Sequence, residues 1–271
     1  MLFHPPCQGF SLRFTSIAIA STPTLVSLIF QLALPSAGHT AVNPQLEQQI
    51  LETIKNHPEV IQESLNLYRK RQQQEKADKA QRVAEEIRNN PKAFLSGSPI
   101  LGNTQATKYL FIFSDFQCPY CAKAQASLQE FKRKHPEVAL VYKHYPLKTI
   151  HSEALNAAAA SWAAQQQGKF WAYHDILLAN QDRLSNAYYE EIAKQLGMNL
   201  AQFNRDRKSE SSSLAIAKDI QLGDKLGIKG TPFFVINGQG FYGVITDKDL
   251  EKIISSPKPM PKNNLGLKPS S

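Results

Sequence analysis

Apolar and polar positions first divide residues 108–145 into three stretches. Two short apolar runs, at 109–113 and 138–145, enclose a longer run that is rich in Ala, Gln, Glu and Lys. The apolar runs are aromatic and β-branched and predict buried strands, whereas the middle composition predicts a helix. Because a helix connects them, the two strands are expected to be parallel.

The next stretch, residues 151–227, has the pattern of an all-helical block. Apolar residues recur there at helical spacing, and Gly197 and Gly227 are typical helix stops. Helices are predicted over residues 153–167, 170–178, 188–196 and 211–226, with a short one that begins at Asn199.

Strand signals return after this block. An apolar run at 232–236 and a second at 241–244 flank the Asn-Gly-Gln-Gly segment 237–240, which predicts a hairpin, and residues 248–254 predict a last helix. The order is therefore strand–helix–strand, helical block, strand–strand–helix. We predict an α/β domain over residues 104–256, in which a helical domain (about 151–227) interrupts a small mixed sheet.

Residues 43–95 predict an N-terminal helical arm. Two short apolar stripes flank a helix break at 56–58, and a polar stretch over 69–82 follows them. The stripes consist of Leu46, Ile50 and Ile54, then Ile61, Leu65 and Tyr68. Two interpretations stay open: a solvated leader that packs one face on the main domain, or a self-association arm (43–90) that makes a homo-oligomer.

The two ends of the chain differ from the rest. Residues 1–41 contain no Asp or Glu, one basic residue, and an apolar run over 16–34 followed by small residues. This pattern predicts either an export signal cleaved near residues 37–41 or a membrane anchor at residues 14–34. Both place the remainder outside the cytoplasm, in the periplasm or its equivalent. Residues 257–271, rich in Pro, Lys, Asn and Ser, predict a disordered tail, and residues 94–107 predict a linker.

Composition narrows the class of partner. The chain has 271 residues, 42% hydrophobic and 20% charged, with a formal net charge of +8. The charge is dispersed and no aromatic-plus-basic recognition motif accompanies it, so no nucleic-acid partner is expected.

The chemistry is carried by Cys118 and Cys121, which lie where the first strand meets the following helix. Pro119 suits the first helical turn, so Cys118 is expected at a helix N-terminus, where free N–H groups and the helix dipole stabilise a thiolate. A thiolate attacks disulfides, and a second thiol can resolve the mixed disulfide. We assign attack to Cys118 and resolution to Cys121.

Two other roles for the cysteine pair stay open at this point. A zinc site needs two more ligands, but the third cysteine is the distant Cys7 and no His pair has suitable spacing. An inert structural disulfide would contribute little to stability, because it would close a very short loop. No metal and no cofactor is expected.

The segments Phe113–Cys121 and Gly230–Gly238 resemble the two signature segments of the DsbA-like branch of the thioredoxin superfamily. The resemblance covers residues 109–254, and it implies a thioredoxin fold with an inserted helical domain. It also implies that Pro232 is a cis proline facing the cysteines and that Thr231 binds an extended substrate through its backbone. The arm resembles that of ScsC-type disulfide isomerases, some of which trimerise.

Several weaker candidates surround this site. Pro119 and Tyr120 separate the cysteines and are expected to tune the thiolate, and Asp115 is either a proton relay for Cys121 or a structural polar residue. Four residues near the exit of the second strand are candidates for contact with the thiolate, with surface or packing roles as the alternative: Lys143, His144, Lys148 and His151. His174, in an apolar helix, is expected to be a satisfied core histidine.

The predicted function is an extracytoplasmic thiol–disulfide oxidoreductase, an oxidase or isomerase. Its expected partners are cysteine-containing protein substrates and a membrane redox partner that reoxidises or re-reduces it. Two rivals remain: a non-enzymatic chaperone or copper(I)-binding module that uses the two thiols, and a glutathione-using transferase or isomerase.

Overall fold

A computed structural model of the protein describes residues 43–243 and 246–255. Its α-helices are α1 (Pro44–Asn56), α2 (Pro58–Asn89), α3 (Pro119–Lys134), α4 (Ala154–Gln166), α5 (Phe170–Ala179), α6 (Asn186–Gln195), α7 (Leu200–Asp206), α8 (Glu210–Lys225) and α9 (Asp247–Ser255). Its strands are β1 (Ile100–Leu101), β2 (Lys108–Ser114), β3 (Val138–His144), β4 (Phe233–Ile236) and β5 (Gln239–Tyr242). Short 3₁₀ turns occupy Pro91–Phe94 and Gln181–Arg183.

The strands form one mixed sheet in the order β1-β3-β2-β4-β5. β2 and β3 are parallel, with Lys108 opposite Val138 and Ser114 opposite His144, and the remaining neighbours are antiparallel. Helices α4 to α8 lie between β3 and β4 in the chain. The predicted thioredoxin fold with an inserted helical domain is confirmed.

The alternation of side chains along β2 builds a core on each face of the sheet. Leu110 and Ile112 pack with residues of α3 and α9, whereas Phe111 and Phe113 pack with the ends of α2 and α8. Because successive strand residues point to opposite faces, both faces of this central strand are covered. Complete burial of each such side chain contributes roughly 1.5–3 kcal/mol.

A third core fills the helical domain. Its centre is aromatic, with Tyr173, Tyr189 and Phe203 fully buried. Cys118 and Cys121 belong to this same cluster of contacts. The cysteine pair therefore lies where the sheet meets the helical domain.

Helix α1 is amphipathic, and none of its residues is buried. Asn43 caps it, because its side-chain oxygen accepts a hydrogen bond from the N–H of Gln45 at 3.0 Å. Leu46, Ile50 and Ile54 are between 43% and 50% exposed.

Helix α2 is a single continuous helix with two different ends. Ile61, Leu65 and Tyr68 near its start are exposed. The buried residues lie near its end, at Ala80, Ala84 and Ile87. The last turns of α2 therefore pack one face on the main domain, as a solvated leader would. The exposed stripe nearer the start of α2 does not.

Two local predictions were wrong. The predicted linker 94–107 contains β1, which pairs with β3 through Ile100 and Leu101. The hairpin turn is also shorter than predicted: only Asn237 and Gly238 form it, with φ of 51° and 73°, and β5 begins directly afterwards. Positive φ at both central residues is the requirement of a type I′ turn, which Asn-Gly satisfies.

The proposed export signal or anchor, Cys7 and the proposed tail lie outside the described residues. Within the described part of the chain, no helix is both long enough and apolar enough to cross a membrane.

Candidate active site

The end of β2 positions the cysteine pair. Cys118 is the N-cap of α3, with extended backbone angles, and Pro119 is the first helical residue. The N–H groups of Cys121 and Ala122 bond back to the carbonyl of Cys118 at 3.0 and 3.3 Å. Cys121 lies one turn further along the helix and is 3% exposed, close to the 4% exposure of Cys118.

The two thiols differ in acidity, although both are free and nearly buried. A hydrogen bond from Cys121 is the main cause that lowers the pKa of Cys118 to about 6, and it outweighs the opposite effect of burial. The hydroxyl of Thr231 and backbone N–H groups at the start of α3 act in the same direction. Burial raises the pKa of Cys121 well above 9, and the neighbouring Cys118 raises it further. Cys118 therefore carries the more acidic thiol of the pair.

The loop before β4 faces Cys118. The Thr231–Pro232 peptide bond is cis, which confirms the prediction for Pro232. The Cys118 thiol donates a hydrogen bond to the carbonyl oxygen of Thr231 at 3.3 Å. The Thr231 hydroxyl makes no hydrogen bond of ordinary geometry to any described residue, although it lies close enough to favour the thiolate.

Asp115 lies in the loop between β2 and α3, and its buried carboxylate is fully engaged. One oxygen accepts from the N–H of Gln117, and the other accepts from the N–H of Leu147 and contacts Nδ1 of His151, all at 2.8 Å. The carboxylate thus fixes the loop that leads to Cys118. The backbone N–H of Asp115 also points to the Cys121 sulfur, 3.5 Å away.

Comparison with known proteins decides the family. A family model described as thioredoxin matches residues 95–256. The chain belongs to the thioredoxin family.

Solved members of the thioredoxin family resemble the chain. A thioredoxin-like oxidoreductase from Silicibacter pomeroyi is 30% identical, with a TM-score of 0.57, over 61% of this chain and 94% of that one. ScsC from Proteus mirabilis, in a transitional conformation, is 26% identical, with a TM-score of 0.55, over 80% of this chain and 97% of that one. The second match extends into the N-terminal helices, because it covers more of the chain than the family model does. The predicted likeness to DsbA-like and ScsC proteins is confirmed.

The chain also matches part of a longer protein of a different kind. The Na(+)/H(+) antiporter NhaA 3 of Salinispora tropica is 33% identical over 157 residues, which is 58% of this chain. The chain spans about a quarter of the length of that relative, 24%.

The other predicted residues of this thioredoxin-family site divide between the surface and the core. Tyr120 is 53% exposed, and the ammonium of Lys123 lies 5.5 Å from its ring centre. Lys148 is exposed. Lys143 is buried and donates to Ser98 Oγ at 2.7 Å and to Asp219 Oδ1 at 3.0 Å, so its role is packing.

His144 is buried beside an aromatic cluster. Its ring lies 5.1 Å from that of Tyr142, and neither of its nitrogens has a hydrogen-bond partner among the described residues. Burial, with the nearby charges of Lys143 and His174, lowers its pKa to about 3. His144 is therefore neutral at physiological pH.

Sequence reasoning missed Gln181, in the short 3₁₀ turn after α5. Its side-chain NH₂ donates to the carbonyls of Phe116 and Cys118, at 2.8 and 2.9 Å. These bonds tie the helical domain to the active-site loop. A glutamine 63 positions from Cys118 gave no signal that could have found it.

A pocket of about 130 Å³ reaches the buried side of the pair. Cys121 and Pro232 line it together with Gln125 of α3 and with Trp171, His174 and Asp175 of α5. His174 is buried and contacts Asp175, with 2.8 Å between Nδ1 and Oδ1, as expected of a core histidine with a satisfied ring.

The described ranges, 43–243 and 246–255, contain no candidate metal site. No group of three or more His, Cys, Asp or Glu side chains lies together there in a way that could hold an ion.

Proposed function

We propose that the protein is an extracytoplasmic thiol–disulfide oxidoreductase that acts on protein substrates through Cys118 and Cys121. The observation that carries this is the unequal pair: an acidic thiol at the start of α3 and a buried, less acidic thiol one turn later. The first suits attack on a disulfide and the second suits resolution. Membership of the thioredoxin family supports the same chemistry.

The substrate segment is proposed to lie along Thr231 and Pro232. Pro232 has no N–H, and the Thr231 carbonyl lies beside the attacking sulfur. An extended peptide placed there would bring its cysteine to Cys118, while Tyr120 stands exposed at the rim. A membrane redox partner that reoxidises or re-reduces the pair is part of the proposal.

The test is reduction of insulin disulfides and reactivation of a scrambled disulfide-bonded protein. The wild-type protein is expected to support at least one activity, and Cys118→Ser is expected to abolish it. Cys121→Ala is expected to accumulate a mixed disulfide through Cys118. Full activity of Cys118→Ser would reject the proposal. A wild-type protein that has neither activity but retains stoichiometric copper(I) would also reject it.

The export proposal rests on the sequence of residues 1–41, which has the composition of a signal or an anchor. Exchange of protein disulfides, the chemistry proposed for Cys118 and Cys121, is expected in an oxidising compartment, where disulfides form and persist. Fractionation of cells that express the full chain, with proteolytic accessibility as the readout, tests it: protection alongside cytoplasmic markers would contradict it.

Self-association through residues 43–68 is the proposed role of the exposed apolar stripes. In α1 three apolar residues recur at intervals of four, and no residue of the helix is buried. In α2, Ile61, Leu65 and Tyr68 recur at intervals of four and three and are also exposed. Second and further copies of the same chain would cover such stripes as in a coiled coil.

A further inference from the structure

The resolving step poses a proton problem that the cysteine pair does not solve alone. When Cys121 attacks a mixed disulfide on Cys118, it must lose its proton, and burial makes that loss costly. In the reverse direction Cys121 leaves as a thiolate and must be protonated. A nearby group that accepts and returns this proton would accelerate both directions.

Asp115 is poorly suited to this exchange. Its carboxylate oxygens already receive the N–H groups of Gln117 and Leu147 and contact the ring of His151. His144 is also unsuitable, because a group with a pKa of about 3 holds a proton weakly at neutral pH. Neither residue lines the pocket that reaches Cys121.

The pocket joins Cys121 to a histidine–aspartate pair on α5. Gln125 lies one helical turn after Cys121 and therefore on the same face of α3. Its side-chain NH₂ donates to Asp175 Oδ1 at 2.6 Å, and the same oxygen contacts His174 Nδ1 at 2.8 Å. These bonds hold the pair against the face of α3 that carries Cys121.

The pocket is also suited to water. Its volume of about 130 Å³ exceeds that of one water molecule, which takes roughly 30 Å³ of the liquid. Two buried polar atoms of lining residues, Gln125 Oε1 and Trp171 Nε1, have no partner among the described residues. An acceptor and a donor of this kind are what a bound water needs.

We propose that His174, oriented by Asp175, exchanges the proton of Cys121 through water in this pocket. The proposal rests on the thiol–disulfide function proposed above. In the resolving direction, Cys121 Sγ bonds to Cys118 Sγ, the bond from Cys118 to the substrate sulfur breaks, and the substrate leaves as a thiolate. The Cys121 proton passes to Nε2 of His174, since Nδ1 faces Asp175. Over attack and resolution together, the pair of cysteines loses two electrons and the substrate disulfide gains them.

The titration of His174 can be followed separately from that of the groups around it. Asp175 faces it from α5, Cys121 from α3, and Tyr142 and His144 from β3. Burial lowers the pKa of His174 below 6.5, while Asp175 acts to raise it. Tyr142 and Cys121 have raised pKa values and that of His144 is about 3, so between pH 5 and 8 these neighbours change little. Cys118 does not titrate while it is held in a mixed disulfide.

The experiment follows two steps separately, by rapid acid quench and mass spectrometry, as the reduced protein reacts with oxidised glutathione. In the first step Cys118 attacks and one glutathione leaves; in the second, Cys121 displaces the other glutathione. His174→Asn is expected to keep the first rate and to slow the second roughly 10²-fold at pH 7. The wild-type second rate should rise to a plateau above the pKa of His174, whereas that of His174→Asn should keep rising with hydroxide.

The matched control is His135→Asn, at the far end of α3, which should leave both rates unchanged. An unchanged second step in His174→Asn overturns the inference and leaves the proposed function intact. Absence of the first step in the wild type overturns the function itself. If His174→Asn fails at the first step, Asp175→Asn decides: a slowed second step with a normal first step supports the pair, and a normal second step overturns it.

Discussion

The thiol of Cys118 lies 3.3 Å from the carbonyl oxygen of Thr231, a residue 113 positions later in the chain. The contact joins the start of α3 to the loop before β4, so both halves of the interrupted sheet build the same site. The helical domain lies between them in sequence and contributes part of the lining of the pocket behind Cys121. The reactivity of one sulfur therefore depends on the whole fold.

The acidity of Cys118 is expected to depend on its partner thiol. Because the hydrogen bond from Cys121 is the main cause of the low pKa, Cys121→Ala should raise the pKa of Cys118 from about 6 toward 9. Ultraviolet absorbance of the thiolate during a pH titration measures it. Thr231→Val, which removes a hydroxyl that favours the thiolate more weakly, serves as the comparison and should raise the pKa less. An unchanged midpoint in Cys121→Ala would contradict the assignment.

The buried ion pair between Lys143 and Asp219 makes a prediction about stability. Asp219→Asn keeps an acceptor for the N–H of His144 but leaves the Lys143 ammonium buried without a counter-charge. We expect it to lower the free energy of unfolding by about 3 kcal/mol, measured by urea denaturation. Adding Lys143→Met removes the unpaired charge and should recover much of that loss. A double variant as unstable as the single one would refute the ion-pair account.

His144 is expected to make the protein sensitive to acid. Its pKa is about 3 in the folded protein and 6.5 as an ordinary histidine, so below pH 6.5 the unfolded chain binds more protons. Stability therefore falls as the pH falls, by about 2 kcal/mol between pH 7 and 5 from this residue. His144→Leu should remove that part of the pH dependence, and the exposed His57→Gln should not. Parallel stability curves for wild type and His144→Leu would count against it.

Asp115 is predicted to act mainly by holding its loop. Asp115→Ala removes the acceptor of the N–H groups of Gln117 and Leu147 and the contact with His151 Nδ1, and we expect a loss of about 2–4 kcal/mol in unfolding free energy. Asp115→Asn keeps one oxygen and should lose less. Thermal and urea unfolding of the two variants provide the comparison, and equal stabilities would show that the hydrogen bonds contribute little.

The exposed stripe of α1 yields a prediction about assembly. If copies associate through it, replacing Ile50 and Ile54 together with Ser should lower the mass found by light scattering. The matched control replaces Gln48 and Glu52, on the opposite side of the helix, with Ser and should keep the mass. A wild-type protein that is monomeric at every concentration would exclude the self-association arm.

Most of the fold could be predicted from local sequence patterns. The apolar run at 109–113 and the Asn237-Gly238 turn identify their strands because burial on both faces and positive φ each demand particular residues. β1 could not be found this way, since two residues among glycines and prolines have no periodicity and pair only because β3 offers an open edge.

The site was less predictable than the fold. Cys118, Cys121 and Pro232 are visible in the sequence because their chemistry is rare. The partners of Asp115, at Leu147 and His151, and the anchor Gln181 are ordinary residues whose roles come from long-range contacts. The sequence left Lys143 open between contact with the thiolate and a surface or packing role, and only the tertiary structure supplies the Asp219 that allows its burial.

The most direct test of the central claim is the pH dependence of iodoacetamide alkylation, with the modified cysteine identified by mass spectrometry. The account predicts that Cys118 reacts first, with a midpoint near pH 6, while Cys121 stays unmodified. A rate that keeps rising through pH 8, as for an ordinary thiol, or modification that falls first on Cys121 would contradict it.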